Sequence, residues 1–207
     1  MTAAAGHLKQ GANGNAAEII EALKQEAAAE IRREEAKRSG TADRQKAAER
    51  VIKSAIANNP FKEAFKGAWT ECETQYICDG FRAYALSEAL PLQTIPEDVQ
   101  KIDIKRVIDG ARGNNGATLN LPELGTLRAY IKEEKARKKA IKDKTAPMYD
   151  FGDGLPLVDA QFLLDTLELL PGCTATISNR KPLISAIYFE SSHGCGILCP
   201  VRKAARV

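Results

Sequence analysis

Asp159 opens a run in which Phe162, Leu163, Leu164, Leu167 and Leu170 recur at helical spacing, and Pro171-Gly172 stops it. Three strand candidates follow at once: Cys173 to Ser178, Leu183 to Glu190 and Gly196 to Val201. A helix this apolar must bury its stripe, and the nearest partner is the sheet that those strands would form. Asp159 suits the N-cap, because its carboxylate can accept from amides that the first turn leaves unpaired. Just upstream, Met148 to Val158 is strand-like and interrupted by Gly152-Asp153-Gly154.

The earlier chain supplies more of both element types. Asn15 and Glu18 read as an N-cap with its return partner. An alanine-rich helix then runs through Ile19, Ile20, Leu23, Ala27 and Ile31 to Ser39-Gly40. Its apolar stripe is thin, so residues 1–40 are expected to form a charged helical extension. A second helix from about Ala42 to Ala57 gathers Ala48, Val51, Ile52, Ala55 and Ile56 on one face and ends at Asn58-Asn59-Pro60. Two β-like runs follow, Thr70 to Cys78 and Phe81 to Leu86, joined by the turn pair Asp79-Gly80. Between Pro91 and Thr145 the pattern turns helical, first over Asp98 to Ile108. After an irregular loop, Gly110 to Gly116, it resumes from Pro122 to about Lys142. The expectation is an α+β chain of mostly antiparallel sheet with packed helices, residues 41–207 forming one domain with a helical insertion around 91–145.

With 28% charged residues and no apolar run near the roughly 18 to 20 that a membrane span needs, the chain reads as soluble. Residues 1–14 lack the basic and apolar regions of a signal peptide, which points to the cytoplasm. The five cysteines, Cys72, Cys78, Cys173, Cys195 and Cys199, show no repeating spacing and read as free thiols. A net charge of +3 says little by itself about nucleic acid.

Several short motifs resemble bacterial DNA sliding clamps, the ring-forming processivity subunits of replicases. Leu157-Val158-Asp159-Ala160-Gln161-Phe162-Leu163-Leu164-Asp165-Thr166-Leu167 is similar to the strand and capped helix of that family's last domain. Arg180-Lys181-Pro182-Leu183-Ile184 resembles the start of the next strand, and Gly196-Ile197-Leu198-Cys199-Pro200-Val201-Arg202 the family's closing strand. Tyr76 to Leu86 looks like its Asp-Gly hairpin, with Cys78 and Phe81 where Thr and His are usual. The match covers about half the chain; residues 1–66 and the shortness of the chain depart from the family.

The resemblance implies a homo-oligomer around duplex DNA, with Lys and Arg on helices touching phosphates without reading sequence. Arg128, Lys132, Lys135, Lys139 and Lys142 form a basic stripe that fits such a role. The same spacing also suits a solvated face partly neutralised by Glu133 and Glu134. The family binds short polymerase or loader peptides in an apolar groove. By motif position, Gly80, Phe81, Arg82, Ile197, Cys199, Pro200 and Val201 would shape it; alternatively Ile197 and Val201 are core and Pro200 ends the sheet. A clamp-fold interaction module that never encircles DNA is the second functional reading.

His193, Cys195 and Cys199 invite a metal, but structural zinc takes four ligands at turn-like spacings that this stretch lacks. No phosphate loop, glycine fingerprint or paired-carboxylate motif occurs. The reading is a non-enzyme without metal or cofactor.

Overall fold

The computed structural model describes residues 16–59, 62–112 and 116–201. Asn15, Pro60 and Arg202, each given a role above, lie outside them. The chain divides into two compact units, Met1–Ala42 and Asp43–Val207. The first holds α1 (Ala16–Ser39), whose Ile20, Leu23 and Ile31 are exposed.

The second unit is α+β. Its strands are β1 (Trp69–Glu71), β2 (Thr74–Cys78), β3 (Arg82–Leu86), β4 (Ala117–Leu119), β5 (Met148–Asp150), β6 (Leu157–Asp159), β7 (Thr174–Ile177), β8 (Ile187–Ser191) and β9 (Gly194–Leu198). Seven of them form one antiparallel sheet in the order β1-β2-β3-β9-β8-β7-β4, while β5 and β6 pair separately. Its helices are α2 (Ala42–Asn58), α3 (Ile104–Arg112), α4 (Leu124–Ala140) and α5 (Ala160–Leu169).

Strand alternation sends side chains to both faces of the sheet. Ile77, Tyr84, Leu86, Ala175, Ile177, Ile187, Phe189 and Leu198 share a core with Val51 and Ile52 of α2, Leu127 and Ile131 of α4, and Leu163 and Leu167 of α5. Tyr76, Cys78, Ala83, Tyr188 and Ile197 face the other way, onto Ile104 and Ile108 of α3. Asp103 starts α3 by accepting the Arg106 amide at 3.0 Å, so the helix begins later than the expected Asp98.

The chain passes twice through one unit, a helix followed by a three-stranded meander. The β2–β3 ladder pairs Gln75, Tyr76, Ile77 and Cys78 with Leu86, Ala85, Tyr84 and Ala83. The β8–β9 ladder pairs Ile187, Tyr188, Phe189 and Glu190 with Leu198, Ile197, Gly196 and Cys195. A single constant numbering offset carries every pair of the first ladder onto the second. It also carries buried Ala48, Val51, Ile52 and Ala55 of α2 onto buried Ala160, Leu163, Leu164 and Leu167 of α5. Even the turns correspond: Asp79 Oδ1 accepts the Phe81 amide at 2.9 Å, and Ser191 Oγ accepts the His193 amide at 3.1 Å. The pseudo-twofold axis passes through the β3–β9 pair Tyr84–Gly196. There the symmetry breaks in volume, since a Cβ on Gly196 would lie 2.4 Å from the Tyr84 ring.

Two expectations about the strands are corrected. The run Thr70 to Cys78 is two strands, because Cys72 and Glu73 both take positive φ, 48° and 64°, and turn the chain between β1 and β2. Within residues 91–145, β4 extends the main sheet beside β7, and α4 packs along α5. Leu183 and Ile184 are exposed in the loop before β8 rather than within a strand.

Candidate functional site

The β2–β3 turn is built from inside outward. Asp79 is fully buried, and its carboxylate accepts the amides of Phe81 and Arg82 and the Arg82 Nε, each at 2.9 Å. Arg82 reaches on to Asp165 Oδ2 of α5 at 2.7 Å and lies 4.1 Å from the Phe162 ring centroid. Asp165 Oδ1 accepts from Arg50 Nε of α2 at 2.6 Å and from Gln161 at 3.1 Å. Arg50 also pairs with Glu168, which accepts Arg128 of α4 at 2.7 Å. One chain of alternating charges thus joins the hairpin to α5, α2 and α4.

Burial works against the Arg82 cation. Tyr84, Asp79 and Asp165 around it outweigh that cost, so its pKa lies above the ordinary arginine value. Burial likewise raises the Tyr84 phenol, whose hydroxyl is 2.6 Å from Thr166 Oγ1. It pushes the Cys78 thiol up to about 11, against the opposing hydrogen bond from the Gly80 amide.

Above this buried layer, Gly80, Phe81, Cys199, Pro200 and Val201 come together at one end of the sheet. The Cys199 amide donates to Phe81 O at 2.8 Å, and the Val201 amide donates to Leu157 O of β6 at 2.7 Å. Pro200, between them, offers no amide. Phe81 is 49% exposed and rests on Phe162, with ring centroids 6.2 Å apart. Arg82 and Ile197, expected beside them, are not on this surface. Arg82 is held inside by two carboxylates, and Ile197 points to the opposite sheet face against α3.

The basic stripe is also divided. Arg128 is committed to Glu168, and Lys135 donates to Gln161 Oε1 at 3.1 Å. Lys132 and Lys139 are exposed on α4 and have no partner among the described residues. Lys142 lies beyond the helix, which ends at Ala140, and takes positive φ, 57°. Lys138 and Lys144, absent from the expected stripe, join Lys135, Lys139 and Lys142 around a cleft of about 470 Å³. Counting the stripe at every third or fourth residue excluded them; counting charge per segment would have found them. Between Arg128 and Lys144 the sequence has eight basic and three acidic residues, an excess larger than the +3 of the whole chain.

Asp165 was legible only as a letter of the helix motif. Its sequence signal is a carboxylate amid Leu163, Leu164 and Leu167 on a buried stripe, where a charge demands a partner. Among the described residues, no three His, Cys, Asp or Glu side chains gather as a metal-binding set. No helix there is long and apolar enough to cross a membrane. No protein-family model, no curated protein and no solved structure matches this chain.

Proposed function

We propose that this protein is a clamp-like tethering factor that holds duplex DNA through its phosphates and docks a short partner peptide beside Phe81. The reading is of a cytoplasmic non-enzyme that self-associates around the duplex. The observation that carries it is the excess of basic residues between Arg128 and Lys144, on α4 and the turn that follows it, the apolar side of α4 being fixed against the sheet-backed core. Free ammonium groups on a rigid helix attract a polyanion equally at every step of its backbone, which suits tethering without sequence readout.

The test is fluorescence anisotropy with two duplexes of unrelated sequence across a salt series. Equal affinities are expected. With the four unpartnered lysines, Lys132, Lys139, Lys142 and Lys144, at phosphates, the logarithm of affinity should fall against log salt with a slope of about −3.6. Absence of duplex binding at low salt, or strong preference for one sequence, would overturn the reading. Light scattering on the eluting protein tests self-association, and a strict monomer at high concentration would remove the ring.

The exposed Phe81 ring favours the second reading, a peptide-docking module that never encircles DNA. Its mark would be an apolar peptide whose affinity barely responds to salt and disappears in Phe81→Ala.

A further inference from the structure

The cleft at the end of α4 differs from an ordinary solvated helix face in three respects. Its wall is built rather than loose. Lys138, whose side chain is 12% exposed, donates to Thr145 Oγ1 at 2.7 Å and Ala146 O at 2.8 Å. Asp143 accepts the Thr145 amide at 2.8 Å and its hydroxyl at 3.0 Å. The loop is therefore fixed before any ligand arrives, which limits the ordering that binding would cost.

The negative end of the helix dipole is also closed off. The Asp143 amide donates to Lys138 O at 2.9 Å and the Lys142 amide to Lys139 O at 3.2 Å. This is a Schellman closure, which occupies carbonyls that would otherwise repel an anion. Such a closure needs a left-handed residue at the position Lys142 occupies, and glycine fills it most cheaply. Helix α1 ends the same way and does use glycine, Gly40 at φ 73°. In α4 the strained position carries a lysine, and the strain sets that lysine on the rim.

The rim itself is mostly cationic. Lys135, Lys138, Lys139, Lys142 and Lys144 line the cleft with a single carboxylate, Asp143. Lys139, Lys142 and Lys144 have no partner among the described residues. Clefts of a few hundred cubic ångströms take a ligand of several groups rather than one small ion.

We infer that this cleft binds a run of adjacent phosphates, and that it is where the DNA contact proposed above is anchored. The inference rests on that reading for the source of the phosphates and on the cleft alone for their chemistry. A nucleic-acid backbone and a free oligophosphate share that chemistry, so the experiment separates them.

Tripolyphosphate is titrated into the full-length protein by calorimetry at low salt, and then used as a competitor against a labelled short duplex. Wild type should bind one tripolyphosphate per chain, and the duplex should be displaced by it. Lys142→Gly should melt higher than wild type, since it relieves the strained backbone, yet bind tripolyphosphate about fivefold more weakly for one lost charged contact. Lys139→Gln, Lys142→Gly and Lys144→Gln together should abolish binding in a protein that still folds, whereas Lys105→Gln on α3 should change nothing. Failure of wild type to bind tripolyphosphate, or full binding by the triple variant, overturns the inference. Duplex binding that ignores both tripolyphosphate and the triple variant also overturns it, while leaving the DNA reading to Arg128 and Lys132. Tight tripolyphosphate binding with no duplex affinity sustains the phosphate cleft and sinks the DNA reading.

Discussion

The hairpin network and the α4 rim use the same residue types in opposite ways. Asp79, Arg82 and Asp165 are almost wholly buried, and every charge meets an opposite one. Lys139, Lys142 and Lys144 are exposed and repel one another. A buried charge is tolerable only when paired, so the first group is fixed by architecture. An exposed charge costs little when unpaired, so the second is free to meet a ligand. Where charges are paired the molecule is being held together; where they are unpaired they add little to its stability.

The comparison breaks most visibly at Asp165. Asp165→Ala would leave Arg82 buried beside Asp79 alone and remove the link to Arg50. The expected loss is roughly 3–5 kcal/mol, read from chemical denaturation. Reversing Lys132 and Lys139 to Glu should change stability by less than about 1 kcal/mol, because Lys and Glu are similar helix formers on an exposed face. Equal losses for the two variants would erase the distinction between the regions.

A weaker probe uses pH. The Cys78 thiol is raised from its ordinary 9.0 to about 11 by burial. A raised folded-state pKa means the contribution to stability is intact below pH 9 and is lost as pH climbs from 9 to 11. The loss at the top of that window should be on the order of 2 kcal/mol. Cys173, also pushed up to about 11 by burial, behaves alike, so Cys78→Ala should remove only part of the alkaline slope. Denaturation midpoints that stay flat from pH 8 to 11 would show that water reaches the layer beneath the turn.

The helices were legible where a stripe and a stop signal agreed. Asp159 does cap α5, accepting the Gln161 amide at 2.8 Å, and the Asp79-Gly80 turn stands where its residues placed it. The β1–β2 turn was not legible, because Cys72 and Glu73 are not residues that favour positive φ. The internal repeat is not legible in the sequence for a related reason. Burial and register repeat, but Tyr84 recurs as Gly196 and Asp79 as Ser191, so similarity of letters is nearly lost. Strand β4 is three residues long and takes its place from β7 rather than from its own pattern. The bond from the Cys199 amide to Phe81 O brings the closing segment beside the hairpin. The inward turn of Arg82 could not be read, since it depends on Asp165 far along the chain.

Tyr84→Phe gives a smaller effect from inside the network's neighbourhood. It removes the hydroxyl facing Thr166, whose own Oγ1 keeps its bond to Phe162 O at 2.8 Å. Thr166 Oγ1 loses the proton it accepted from Tyr84 but still donates to Phe162 O, so the expected loss is about 1 kcal/mol, visible as a shift of a few degrees in melting.

A comparably small effect on stability should come from Arg128, where the two regions meet. Its side chain is 55% exposed, and its partner Glu168 keeps Arg50 when Arg128 is removed. Arg128→Ala should therefore cost less than about 1 kcal/mol. Its effect on DNA discriminates further. Glu168 already neutralises much of the Arg128 charge, whereas nothing described pairs with Lys139. If unpaired charge is what recruits phosphate, Lys139→Ala should weaken duplex binding more than Arg128→Ala in the same salt series. The slope against log salt should also drop by nearly one for the lysine and by less for the arginine. A larger loss at Arg128 would mean that the ion pair opens for DNA and that the boundary between the paired and the free charges lies closer to α5.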